Sequence, residues 1–182
     1  DIPTKQKKRI VLFSHSLNEM GNEQAMKYID KLDADKVLFI EQGTKSFFHQ
    51  YLGMRSSLFE KGFNCLYPCP NNDSCPLQGQ DDWCHQYLKV KHDLEIERLT
   101  QLSHKNRKWL PQTIGLYSKE DMACWEANEG RIVRTHPSTK FSFEWDICQA
   151  KNSLNTLEHF QVMKRGMAKR DIKKIEEILA GD

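Results

Sequence analysis

Between Cys65 and His85 the chain reads C-L-Y-P-C-P-N-N-D-S-C-P-L-Q-G-Q-D-D-W-C-H, and four of its six cysteines fall there. Neither the helical nor the strand hydrophobic period runs through this stretch. A segment so poor in core-building pattern needs a cross-link, and clustered thiols supply one either as a metal site or as disulfides. At 182 residues, 38% of them hydrophobic, the chain is long enough for one domain with its own core and does not depend on disulfides as a mini-protein does. Its start, D-I-P-T-K-Q-K-K-R, is charged and leads into no apolar signal core, so the thiols are expected in a reducing compartment, where metal is favoured. The chain opens on Asp1 rather than Met, as a processed product or a fragment does. No apolar run approaches the roughly 20 residues of a membrane span, and no membrane partner is expected.

Cys69, Cys75 and Cys84 are spaced more loosely than the C-x2-C knuckle of a zinc ribbon, and not as in the bacterial ferredoxin run. Three thiolates on one loop with a fourth from elsewhere still make a sensible cage. Loose spacing, with Pro70 and Pro76 directly after two of the cysteines, suits a bulky cluster better than one small ion. The candidate fourth ligands are Cys65, His85, Cys124 and Cys148. Cys148 closes a predicted strand, where position is well defined, whereas Cys124 lies in an irregular stretch. Zinc in the same cage is the alternative to a cluster.

The rest of the chain is patterned. Arg9–Ser14 and Lys36–Ile40 are continuous β-branched and aromatic runs, expected as strands buried on both faces of a parallel sheet. A helix is predicted from about Glu23 to Leu32, and another from Lys45 to about Lys61, capped by Thr44 and closed by Gly62. This β-α-β-α order predicts an α/β fold, with ligands beyond the strands' carboxyl ends at Ser14–Glu19 and Glu41–Thr44. Val90–Leu102 reads as a short amphipathic helix and residues 103–112 as a basic, irregular link. Arg131–Arg134, Phe141–Cys148 and Leu157–Met163 are predicted antiparallel strands, and Gly166–Leu179 a basic-faced helix.

The formal charge is only +2, so any nucleic-acid surface must be a local patch. Lys105, Arg107 and Lys108 beside Trp109 combine phosphate-binding charge with a ring able to stack on a base. Arg131 and Arg134 form a second patch with Lys164, Arg165, Lys169 and Arg170. The plainer alternative is solvated charge beside a core tryptophan.

C-P-N-N-D-S-C-P-L followed by D-D-W-C-H resembles the signature of the methyltransferase-like small-ribosomal-subunit assembly family. In order along the chain, S-H-S-L-N-E-M, F-I-E-Q-G-T, R-I-V-R-T-H-P, W-D-I-C and V-M-K-R-G-M-A-K-R-D resemble its further motifs. The resemblance implies the later half of a class I (Rossmann-like) S-adenosylmethionine methyltransferase sheet, with a cysteine-rich metal loop, a small antiparallel β extension and a C-terminal helix. It implies a partial methyltransferase unit over 1–64, the metal loop and basic link over 65–112, and antiparallel strands with the helix over 113–182.

It further implies a [4Fe-4S] cluster on Cys69, Cys75, Cys84 and Cys148, and a role for the chain in small-subunit maturation. The partners it implies are small-subunit rRNA or a ribosomal assembly intermediate. The location it implies is the mitochondrial matrix in a eukaryote and the cytoplasm in a bacterium. Ser14, His15, Asn18 and Glu19 stand where a methyltransferase faces its donor or substrate; the alternative is a polar turn with Asn18 helping to start the next helix. The family's Gly-rich donor turn should lie upstream, and no G-x-G occurs in the chain. Binding of S-adenosylmethionine, and catalysis with it, is therefore expected only with the missing N-terminal half as a partner. Without it the chain is expected to act as a non-catalytic RNA-binding assembly factor.

Overall fold

The computed structural model describes residues 8–104, 109–120, 125 and 129–180. Strand β1 (Ile10–Ser14) runs parallel to β2 (Lys36–Gln42), and the two are joined through α1 (Leu17–Met20) and α2 (Asn22–Lys31). The predicted cap holds: Thr44 Oγ1 accepts from Phe47 N at 3.3 Å and opens α3 (Lys45–Glu60). Gly62, at a φ of 79° that favours glycine, turns the chain into β3 (Asn64–Tyr67). After the cysteine loop come β4 (Gln86–Lys89), α4 (Leu94–Leu102) and β5 (Trp109–Ser118).

The first sheet has the order β1-β2-β5-β3, with β4 also on β5. The β1–β2 unit is parallel as the sequence order predicted, and β5, antiparallel to β2, β3 and β4, makes the sheet mixed. The irregular link expected through residue 112 ends earlier, because residues 109–112 begin β5, which also crosses the boundary expected at 112. Pro111 and the charges before it argue against a strand, but pairing of residues 109–112 with β4 overrides that local preference.

Phe13, Val37, Phe39 and Tyr117 share one core with Ala25 and Ile29 of α2 and with Phe47, Tyr51, Met54 and Leu58 of α3. The expectation that β1 and β2 are buried on both faces is corrected. Burial alternates along β2, and Ile10 and Leu12 on β1 are 63% and 56% exposed, because this core covers only one side. Helix α4 starts at Leu94, capped by Asp93, and has no buried residue.

The second sheet is antiparallel, in the order β6 (Gly130–Thr135), β7 (Ser142–Lys151), β8 (Leu154–Met163), and is followed by α5 (Lys169–Ala180). Among the described residues no helix is long and apolar enough to cross a membrane.

Candidate metal centre and its surroundings

The loop between β3 and β4 carries Cys69, Cys75 and Cys84, while Cys148 sits on the central strand of the second sheet. All four line one cavity, whose apolar wall includes Phe48 and Leu52 of α3 with Val133 and Leu157 of the second sheet. Cys148 reaches it through strand register, since β7 pairs Cys148 with Arg131 on one side and Leu157 on the other. Of the other candidate ligands, Cys65 is buried within β3, and His85 stacks on Trp83 and meets the Tyr87 ring edge-on, outside the cavity lining. Cys124 lies outside the described residues.

Two guanidinium groups flank the thiols. Arg131 Nη1 donates to Cys84 Sγ at 2.8 Å and Nη2 to the His85 carbonyl at 3.0 Å, with the Tyr67 ring 5.8 Å away. Arg55, only 4% exposed, donates to the Asn71 and Asp73 carbonyls of the loop and stacks over Phe59. A hydrogen bond from Cys65 holds the Cys69 thiol down to about 6 against its burial, with the charges of Arg55 and Arg131 adding to the effect. Burial pushes Cys75 up to about 11 and Cys148 to about 12, and raises Cys84 against the pull of Arg131. A metal entering this set must therefore displace protons from most of the sulfurs.

The loop is stitched to the second sheet by polar contacts. Asn155 donates from its backbone to Asp73 Oδ2 at 3.2 Å and from its side chain to the Asp73 and Ser74 carbonyls, and Asn71 donates to the Ser153 carbonyl at 3.0 Å. At the other end of the loop Trp83 Nε1 donates to the Gly43 carbonyl at 3.0 Å. Gly43 has no room for a side chain: a Cβ there would lie 2.7 Å from both Gln112 N and the Pro111 carbonyl carbon.

Ser14, His15, Asn18 and Glu19 lie together and exposed at the carboxyl end of β1, with His15 N bonded to the Ile40 carbonyl of β2. Helix α1 has no side-chain cap of its own. Glu41, 1% exposed at the end of β2, takes that role, and its Oε1 accepts from Ser16 N at 2.8 Å and Leu17 N at 2.7 Å.

The expected basic surface divides. Lys105, Arg107 and Lys108 lie outside the described residues. Arg131 turns into the thiol cavity, and Arg134 pairs with Asp82 and with Asp146. Lys164 is engaged by Ser138, Glu176 and the Phe143 ring, its side chain 12% exposed. Arg165, Lys169 and Arg170 are exposed at the start of α5, Arg170 beside Asp171.

Three residues of the site were not singled out in these roles from the sequence: Glu41, Arg55 and Arg131. Position could have flagged the first two. Glu41 keeps the inward parity of Val37 and Phe39, and Arg55 follows Tyr51 by one helical turn on the core face of α3.

Residues 3–175 match the model of the family described as mitochondrial small ribosomal subunit Rsm22. No curated protein matches the chain.

Proposed function

Because the chain belongs to the mitochondrial small ribosomal subunit Rsm22 family, we propose that it is the cluster-bearing, RNA-binding part of a methyltransferase-like protein acting in maturation of the small ribosomal subunit. In a eukaryote it would work inside the mitochondrion, and its partner would be small-subunit rRNA or an assembly intermediate.

The observation that carries this reading is the convergence of Cys69, Cys75 and Cys84 from the β3–β4 loop and Cys148 from the second sheet on one apolar cavity. The donor set fits a [4Fe-4S] cluster: four sulfurs, an apolar wall, and positive charge from Arg131 and Arg55 to offset thiolates. Zinc on the same four thiolates is the alternative occupant of the cage. The cluster would act here as a brace between the two sheets, with Arg131 orienting and charge-balancing the Cys84 ligand.

Methyl transfer needs a bound donor, a nucleophile in line with its methyl group, and exclusion of water. Ser14, His15, Asn18 and Glu19 would face donor or substrate at the strand ends, the ligand position of such sheets. They stand exposed, so a further polypeptide segment must complete the pocket. The side of β1 where Ile10 and Leu12 point outward, uncovered among the described residues, would offer that segment an apolar seat.

The deciding measurement is iron and acid-labile sulfide on protein purified without oxygen. About four of each per chain are expected. Stoichiometric zinc without sulfide would overturn the cluster. Donor binding, measured by titration calorimetry on the complete parent protein, tests the methyltransferase part separately, and an absence of binding there would refute it.

A further inference from the structure

The second sheet carries a polar cluster that the thiol site does not use. Central strand β7 places Ser142, Glu144, Asp146 and Cys148 on one face by the two-residue period of a strand. Register then sets His159 of β8 opposite Asp146 and Gln161 opposite Glu144. His136, one residue past β6, is fixed by its backbone N donating to the Glu144 carbonyl at 3.0 Å. His136 Nε2 lies 3.0 Å from Asp146 Oδ2, and His159 Nδ1 lies 2.9 Å from Asp146 Oδ1.

We propose that His136, Asp146 and His159 form a second, thiol-free site for a divalent d-block cation of zinc's class. Two imidazole nitrogens, which are borderline donors, and one carboxylate oxygen, a harder one, are a set that such ions take, at about 2.0–2.2 Å each. All three ligand atoms already lie within 4.8 Å of one another, so one ion can reach them together after a small closing movement.

The surroundings support the same assignment. Glu144 Oε2 stands 3.7 Å from His159 Nε2, an outer carboxylate beside the ring, while Nδ1 donates to Asp146 Oδ1, so an ion bound at Nδ1 would take the place of that proton. Glu144 is itself held by Ser142 Oγ at 2.8 Å and Gln161 Nε2 at 2.9 Å, so the outer carboxylate is built rather than floating. The charge balance also favours a dication: Arg134 is shared between Asp82 and Asp146, and Glu144 adds a further carboxylate beside His159. The side chains of His136 and His159 are 32% and 52% exposed, so the ion has a path in and a face left for water. The donors are nitrogen and oxygen only, so the site is independent of what the four cysteines hold.

Cobalt(II) separates the two sites by colour, because only thiolate ligation gives sulfur-to-metal charge-transfer bands. Oxygen-free protein titrated with cobalt chloride is expected to bind one equivalent that lacks those bands. That equivalent is expected to survive Cys75→Ser. It is expected to weaken at least ten- to hundredfold in His159→Gln, the loss that even an outer partner of a metal ligand costs. His136→Gln is a second, partly exposed variant, and circular dichroism checks that each variant is folded. The proposal is overturned if all bound cobalt carries thiolate bands. It is equally overturned if the thiol-free equivalent ignores both histidine variants, or if those variants lower melting temperature while cobalt binding stays at the wild-type level, as a purely structural hydrogen-bond cluster would.

Discussion

Replacing Glu41 tests how the turn at the end of β1 is held. The short helix α1 begins with donors that no local side chain satisfies, and Glu41 Oε1 takes two of them, Ser16 N at 2.8 Å and Leu17 N at 2.7 Å. Glu41→Ala removes the acceptor and leaves both donors without a protein partner. A buried donor left unmade costs about 1–3 kcal/mol. Leu17 is fully buried and bears that cost in full, whereas Ser16 is half-buried and can turn partly to water. The expected loss is therefore about 2–4 kcal/mol, or roughly 5–15 °C in melting temperature for a chain of this size. Glu41→Gln keeps an oxygen in place and loses only the extra strength of a carboxylate acceptor, about 1 kcal/mol. Urea unfolding of both variants gives the two numbers, and amide exchange at Ser16 and Leu17 reports the site directly. An alanine variant within about 0.5 kcal/mol of wild type, the usual range of a surface change, would refute the capping role. So would a glutamine variant as unstable as the alanine one.

Cys75→Ser is expected to lower metal content and destabilise the loop by several kcal/mol, as metal binding coupled to folding requires, whereas Cys65→Ala should leave metal content unchanged; elemental analysis with melting curves checks both. Gly43→Ala should be strongly destabilising, because the new Cβ would meet backbone at 2.7 Å on β5 rather than a movable side chain; thermal unfolding close to wild type would contradict this. Tyr51 and Tyr117 bury their hydroxyls 2.6 Å apart, and burial raises both phenols well above their ordinary value. The unfolded chain releases these protons from about pH 10 while the folded chain keeps them, so stability is intact below about pH 10 and falls as pH rises past it. Tyrosinate absorbance should show the pair ionising only together with unfolding, not in a gradual titration of a folded protein. Removing the three exposed charges Arg165, Lys169 and Arg170 together should weaken binding to single-stranded rRNA and reduce the slope of log affinity against log salt by about 2; an unchanged slope would remove α5 from the RNA surface.

Much of the fold was legible because its signals are local. The apolar runs of β1 and β2, the Thr44 cap and the Gly62 turn each act within a few residues, and each appears in place. What a strand buries is not local. The run I-V-L-F reads as buried on both faces, yet Ile10 and Leu12 face out because nothing among the described residues packs over them. The start of strand β5 was obscured by Pro111, and its partner β4 makes that segment a strand. The direction of a charged side chain was equally hidden. Arg131 reads as surface charge beside Arg134, but the register that places it opposite Cys148 also points it at Cys84. The His136, Asp146, His159 cluster depends on the pairing of three strands, which no spacing in the sequence specifies.

The contacts between the cysteine loop and the second sheet differ in strength, and the difference bears on how the basic helix is held. The pair between Arg134 and Asp82 is partly exposed, with side chains 41% and 30% accessible, and an ion pair of that kind contributes about 0–1 kcal/mol. The Asn155 and Asn71 bonds to the loop are single hydrogen bonds, each worth about 1 kcal/mol net. Those contacts orient the sheet without fixing it strongly. Cys148 and Arg131 enter the thiol cavity itself, so on the proposed reading a cluster held by Cys148 would add the energy of ligation to the tie between β7 and the loop. Helix α5 follows β8, the neighbour of β7, after a five-residue turn, and Arg165 of that turn is exposed together with Lys169 and Arg170 of the helix. On the proposed reading, occupancy of the thiol site therefore decides whether that basic surface is held at a fixed position on the α/β unit.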